Sequence, residues 1–252
     1  VKEYPLRLGP KIELWPARIE TIERSIRDEA WLTEGNLDVV SGWSKGLPAV
    51  EYLIFGDEES ESILFQLTNE TSRCEYLKLL TFDIFEKFTL LSDAWDPDGG
   101  NYAAQLIAAG GTTSSFSSVT MAFDEVLNRV GFLIEFMRQM KVAAPSGLVS
   151  GTTDLDVLES RFCDCALDDL KANLEGVKSL LGLLFVASPD GDTPPLLGTD
   201  SARLETELED TYREIESCLA ALEPSLSTAI ASGSSSPVDL YNALTRLQVL
   251  LQ

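Results

Sequence analysis

The sequence predicts an all-α protein built as two antiparallel, pseudo-duplicated helical bundles. Apolar residues recur three and four positions apart through most of its 252 residues, as they do in helices that bury one face. Alternating β-branched runs, the mark of half-buried strands, are missing from the sequence. Small and turn-forming residues instead gather in a few clusters. The segment 110–118 (GGTTSSFSS) falls near the middle and predicts a hinge between an N-terminal bundle, residues 1–110, and a C-terminal bundle, residues 111–252.

The first helix is expected to open at Pro16, whose fixed φ suits a first turn, and to run through Ile19, Ile22, Ile26 and Ala30 to a stop at Gly35-Asn36. A short helix follows Gly46, with Pro48 in its first turn and Val50, Leu53, Ile54 and Phe55 before Gly56 ends it. A long helix should start at Thr71 or Ser72 and end near Trp95, with Cys74, Leu77, Ile84, Phe85, Phe88 and Leu91 as its core stripe. Asp96-Pro97-Asp98-Gly99-Gly100-Asn101 resembles the opening of a calcium loop. Ile107 stands where the bidentate Glu belongs, so the stretch reads as an acidic turn.

Beyond the hinge, a helix with Val119, Phe123, Val126, Val130, Leu133, Ile134 and Met137 inward should end at Met140 or Lys141, before Ala144-Pro145-Ser146-Gly147. The next is expected from Asp154 or Leu158 to Phe185, carrying Phe162, Cys165, Leu170, Leu174, Val177, Leu181 and Leu184. After the Pro/Gly-rich loop 188–198, Asp200 or Ser201 caps a helix that uses Leu204, Leu208, Tyr212, Ile215, Leu219 and Leu222. The last helix starts at Ser236 with Pro237 in its first turn and presents Leu240, Leu244, Leu247 and Leu251.

Composition then narrows the chemistry. The chain carries no histidine, which excludes Ser-His-Asp and Cys-His hydrolysis, H-E-x-x-H zinc sites and facial-triad iron sites. With 41 acidic and 19 basic residues, a formal charge of −22, the protein is repelled by phosphate backbones and anionic lipid and favours cations and basic partners. No nucleic-acid role is expected. No apolar run approaches the roughly 18 to 20 residues of a spanning helix. A chain beginning at Val1 fits an exported protein whose targeting segment has been removed.

The cysteines Cys74, Cys163, Cys165 and Cys218 permit three pairings, with buried free thiols as the alternative. On a helix, Cys163 and Cys165 would point about 200° apart and so reach different partners rather than each other. Acidic clusters at Asp57-Glu58-Glu59, Asp154 with Asp156, Asp168-Asp169, Asp190 with Asp192 and Glu205 to Asp210 read as solvated faces, although hard cations do take oxygen ligands. Trp15, Trp31, Trp43 and Tyr102 stand outside the apolar stripes and read as packing residues, with Trp43 also placed to line a cleft.

The segment Lys45-Gly46-Leu47-Pro48-Ala49-Val50-Glu51-Tyr52-Leu53-Ile54-Phe55-Gly56 sets Glu51 in an apolar helix between two glycines, where a carboxylate must reach solvent or a partner. Here the sequence resembles the imelysin family, the insulin-cleaving and iron-regulated protein A-like proteins. The resemblance is carried by LRLGPKIELWPARI (6–19), KGLPAVEYLIFG (45–56), RCEYLKLL (73–80), KVAAPSG (141–147), LDDLKANLEGV (167–177) and SPVDLYNALTRLQVLLQ (236–252), in that order. The family signature G-x-H-x-x-E, proposed for metal binding or peptidase activity, falls on Gly46 and Glu51 with Pro48 in the histidine position. Pro offers neither a lone pair nor a proton, so zinc-peptidase chemistry is not expected.

The resemblance implies an exported protein, either periplasmic or a lipid-anchored protein of the outer membrane, in bacterial iron or metal uptake, and Pro48 in the histidine position implies that it acts without catalysis. It would bind a ligand, iron or another cation, or an outer-membrane partner at a cleft between the bundles. Gly46, Pro48, Glu51, Trp43, Lys141 and Arg161 are the expected cleft residues, with Lys141 or Arg161 pairing Glu51, and Glu51 as the one metal-ligand candidate. Export also implies disulfides: Cys74, or else Cys218, with Cys163 or Cys165. The alternatives are a metallopeptidase of the imelysin type and a structural partner-binding module at the cell surface.

Overall fold

A computed structural model describes residues 8–34, 37, 39–183 and 201–251. The described residues contain helices and turns and no strand. The expected helix stop at Gly35-Asn36, the end of the long helix at Leu184 and Phe185, the loop 188–198 with Asp190 and Asp192, and the Asp200 cap lie outside them. Packing divides the chain into Val1–Phe123 and Asp124–Gln252. The division falls inside a helix, and the 110–118 turn belongs wholly to the first unit.

The first unit runs α1 (Leu8–Ile12), α2 (Ile19–Asp28), α3 (Ala30–Glu34), a 3₁₀ turn Gly42–Ser44, α4 (Leu47–Phe55), α5 (Ser60–Asn69), α6 (Thr71–Trp95) and α7 (Tyr102–Ile107). Helix α6 is the backbone of the unit, with α1, α2, α4 and α5 all packed on it. The core joins Ile22, Ile26, Trp31, Leu37, Ala49, Leu53, Tyr76 and Leu80.

One continuous helix from Pro16 is not what forms. Pro16 follows a cis peptide and precedes the helix: Arg18 has an extended backbone, with φ −97° and ψ 92°, its N–H donates to the Trp43 carbonyl, and α2 opens only at Ile19. Glu29 then adopts a left-handed φ of 51° that ends α2. That break swings Trp31 into the core, where its indole N–H donates to the Ser25 carbonyl at 2.9 Å and its ring lies 5.2 Å from that of Tyr76.

Helix α6 has the expected bounds and buries Ile84 of the expected stripe, but its covered face is otherwise a different one. Its buried positions are Arg73, Tyr76, Leu80 and Ile84, whereas Phe85 is 67% exposed and Phe88 and Leu91 are exposed as well. The sequence offers more apolar residues than one helix face can hold. Polar partners decide between the faces: the Tyr76 hydroxyl donates to the Ser44 carbonyl at 2.7 Å, and Arg73 grips the Glu23 carboxylate with 2.7 and 2.8 Å hydrogen bonds.

The second unit holds most of α8 (Val119–Phe136), a π-helical turn Met137–Ala143, a 3₁₀ turn Leu155–Val157, α9 (Ala166–Gly182), α10 (Ser201–Ala220), α11 (Leu226–Ala231) and α12 (Ser236–Leu250). Helix α12 packs against α10, α11 and the π-helical turn. Leu170, Leu174, Val177 and Leu181 of α9 join Leu208, Ile215, Leu219, Leu240, Leu244 and Leu247 in one core. Val130 and Ile134 on α8 and Met137 at the start of the π-helical turn are buried as expected, but Val119 is exposed.

The helix expected from Asp154 or Leu158 begins later, at Ala166. Ser160 and Asp164 carry φ of 48° and 57°, a left-handed backbone that a helix interior excludes, so the chain reaches α9 through successive turns. Helices α1, α7 and α11, of five or six residues, show too few apolar periods to be read, and α5 (Ser60–Asn69), with Ile63 as its one buried residue, was not expected either. The cap of α12 is Ser235, one residue before the expected Ser236, with Pro237 in the first turn.

Two outcomes check this core. Leu80→Ala should cost about 2–5 kcal/mol in denaturant unfolding, whereas Phe85→Ala should stay within about 0.5 kcal/mol. The opposite ranking would restore the face read from the sequence. Tyr212 is buried, its hydroxyl makes no hydrogen bond among the described residues, and burial together with nearby Glu209 pushes its pKa up to about 12. The unfolded chain therefore loses that proton first, and stability present below the ordinary value near 10 should decline as pH rises toward 12. Urea melts at about pH 9 and pH 11.5 should show this decline, and Tyr212→Phe should reduce it.

Candidate functional site

The GLPAVE segment is seated by a close backbone approach. Gly46 has φ +79°, and a Cβ there would lie 2.3 Å from the Ile12 carbonyl oxygen at the end of α1. Only glycine fits beneath that carbonyl. Buried Pro48 occupies the first turn of α4, and Gly56, at φ +53° against the Ile63 side chain, closes the helix. The preceding turn is held by the Lys45 ammonium donating to the Leu37 carbonyl at 3.0 Å, and by the Ser44 hydroxyl donating to the Ser41 carbonyl at 2.8 Å. Trp43 stacks beneath the Arg18 guanidinium, 4.4 Å from its ring centroid.

Glu51 is partly buried on α4. The neighbouring Tyr52 donates from its hydroxyl to Glu23 Oε1 at 2.7 Å. Burial, reinforced by the Glu23 carboxylate, pushes the Tyr52 hydroxyl well above its usual range, so at neutral pH it is a fixed donor. Glu23 also receives Arg73, whose Nε reaches Glu70 at 3.1 Å. A Tyr52–Glu23–Arg73–Glu70 chain thus pins α4, α2 and α6 together.

In the second unit, Lys141 lies on the π-helical turn and pairs with Glu159 at 2.5 Å, with side chains only 7% and 3% exposed. Such one-turn π segments often mark functional sites. The adjoining Pro145-Ser146-Gly147 turn is fixed by the Asp154 N–H donating to the Pro145 carbonyl at 3.0 Å. Gly147 has φ +72°, and a Cβ there would lie 2.4 Å from the Thr152 backbone. Arg161 pairs with Asp156 at 3.3 Å and lies 4.0 Å from the Phe162 ring centroid. Arg138, from the same π turn, donates to the Tyr241 hydroxyl of α12 at 3.2 Å.

The imelysin family model matches residues 4–251. The chain belongs to the imelysin family. Among solved structures, the chain is similar to an iron-regulated protein A precursor from Parabacteroides distasonis, with a TM-score of 0.70 and 18% identity over 98% of this chain and 76% of that one. At that identity the likeness establishes the fold. No curated protein matches.

Within this imelysin chain, Trp43, Gly46, Pro48 and Glu51 gather around α4 in the first unit, and Lys141 and Arg161 stand on the segments flanking the 145–147 turn in the second. Among the described residues, no group of three or more acidic or cysteine side chains is placed to hold a metal ion. The 96–101 stretch is a local turn in which Asp96 Oδ1 accepts from the Asp98 N–H at 2.8 Å.

The cysteine pairing is a correction. Cys163 bonds to Cys165, with Cα atoms 5.3 Å apart, and Cys74 and Cys218 are free thiols. The helical argument that set Cys163 and Cys165 apart fails because both precede α9, in turns that bring their side chains to the same side. Glu23, Ser44, Arg73, Tyr76 and Glu159 escaped the sequence reading. One signal was available: Arg73 lies at i, i+3, i+7 and i+11 spacing with Tyr76, Leu80 and Ile84, and a cation on a buried stripe demands a partner.

Removing one member of the Lys141–Glu159 pair leaves the other charge buried. Glu159→Gln or Lys141→Met alone should each destabilise the protein by about 3–5 kcal/mol in denaturant unfolding, and the double variant Lys141→Met/Glu159→Leu should recover most of that loss.

Proposed function

We propose that this imelysin is a non-catalytic, exported protein that serves bacterial iron or other metal acquisition by binding a ligand or a partner protein. The observation that carries this reading is Pro48. The family's peptidase and metal-binding proposals rest on a histidine at that position; here it holds a buried proline in the first turn of α4, and the chain has no histidine to stand in for it. Glu51 alone supplies one carboxylate, fewer than a metal ion requires for tight binding.

The link to iron draws support from the structural neighbour, itself named an iron-regulated protein A precursor. Export is supported by that protein's precursor status and by the Cys163–Cys165 bridge, which suits an oxidising compartment. No helix among the described residues is long and apolar enough to cross a membrane. The charge of −22 favours a basic or cationic partner surface.

Incubation with an unfolded peptide substrate, with and without a chelator, separates this reading from a metallopeptidase. No chelator-sensitive cleavage is expected over many hours at micromolar protein. Cleavage that stops on chelation would overturn the non-catalytic reading, and Glu51→Gln would then identify whether α4 carries it.

A further inference from the structure

The bridge between Cys163 and Cys165 joins residues separated by two positions. A cross-link this local removes little freedom from the unfolded chain and ties no helix to another, so it contributes little as a structural staple. Both cysteines are partly exposed, and Asp164 between them is exposed. Cys165 is the cap residue of α9, a helix of 17 residues whose positive end favours a thiolate. Asp168 and Asp169 in the first turn moderate that preference.

The turn also has supports that do not involve the sulfur–sulfur bond. The Cys165 N–H donates to the Ser160 carbonyl at 3.0 Å, and the Asp168 and Asp169 N–H groups donate to the Cys165 carbonyl at 2.9 and 3.0 Å. The Ser227 hydroxyl, from α11, donates to the Asp164 carboxylate at 2.7 Å. Opening the bridge therefore leaves the backbone of the turn anchored at both ends and to a neighbouring helix.

We propose that Cys163–Cys165 is a thiol–disulfide exchange site that accepts two electrons from an external dithiol and returns them by the reverse reaction. A thiolate of the external dithiol attacks Cys163 Sγ. The bond to Cys165 breaks, and its electron pair leaves on Cys165 Sγ at the positive end of α9. The second thiol of the donor, once deprotonated, attacks its own sulfur in the mixed disulfide and releases Cys163 as a thiolate. The two protons lost by the donor are taken up by Cys163 and Cys165, so one disulfide is reduced and one is formed. The proposal is independent of the metal-acquisition reading, since it uses neither α4 nor Glu51.

The test uses the native, oxidised protein and dithiothreitol as the dithiol. After exposure to about 1 mM dithiothreitol, alkylation and peptide mass mapping should show Cys163 and Cys165 labelled within minutes while the far-ultraviolet helical signal is unchanged. Cys163→Ser, with glutathione disulfide as probe, should yield a mixed disulfide at Cys165. The double variant Cys163→Ser/Cys165→Ser should melt within about 5 °C of the parent. Labelling that appears only together with loss of helical signal, a fall in melting temperature well beyond 5 °C, or an oxidised protein in which mapping finds no Cys163–Cys165 bridge would each overturn the proposal.

Discussion

The buried Tyr76 hydroxyl organises the first unit. A phenol taken from water without an acceptor costs about 1–3 kcal/mol, and the acceptor it finds is the Ser44 carbonyl, in the turn just ahead of α4. Tyr76 also receives the Trp31 ring, whose indole N–H is satisfied by Ser25 at the end of α2. The Ser25 hydroxyl in turn lies 3.3 Å from that of Ser44. Segments far apart in sequence thus meet at one hydrogen-bonded point. That point selects which face of α6 is buried and leaves Phe85, Phe88 and Leu91 outside.

A chain with 41 acidic and 19 basic residues has few cations to place, and the buried ones are each matched. Arg73 holds Glu23 and Glu70, and Lys141 holds Glu159. These pairs differ from the exposed ones, such as Lys78–Glu75 and Arg129–Glu125, whose attraction water largely screens. Inside the protein, charges are expensive to desolvate and more expensive to leave alone, so each buried pair acts chiefly to fix geometry. For Glu23 and Arg73 that geometry is the placement of α4. For Lys141 and Glu159 it is the junction of the π-helical turn with the segment leading to α9.

The altered family signature follows from the same physics. Glycine at position 46 is required by the Ile12 carbonyl that presses on it, a packing demand. A proline at the third position suits the first turn of a helix, where its missing N–H has no partner to lose. The shape of this segment thus rests on backbone conformation and packing at Gly46 and Pro48, with no imidazole at either position.

The helical class, the bounds of α4 and α6, the inward stripes of α9, α10 and α12, and the loss of histidine chemistry were all legible in residue types and spacing, because each is set within a few turns of chain. Where the reading failed, distant partners had decided the outcome. The buried face of α6 depends on Ser44 and Glu23, which no local period encodes. The break at Glu29 depends on where Trp31 can be buried. The Cys163–Cys165 bond depends on left-handed residues that postpone α9 to Ala166. By itself the sequence determined the helical class, the longer amphipathic helices and the absence of any imidazole from the chain. Only the tertiary structure decided which face of each helix is covered and which charges and sulfurs meet, since those follow from burying polar groups against acceptors far away in the chain.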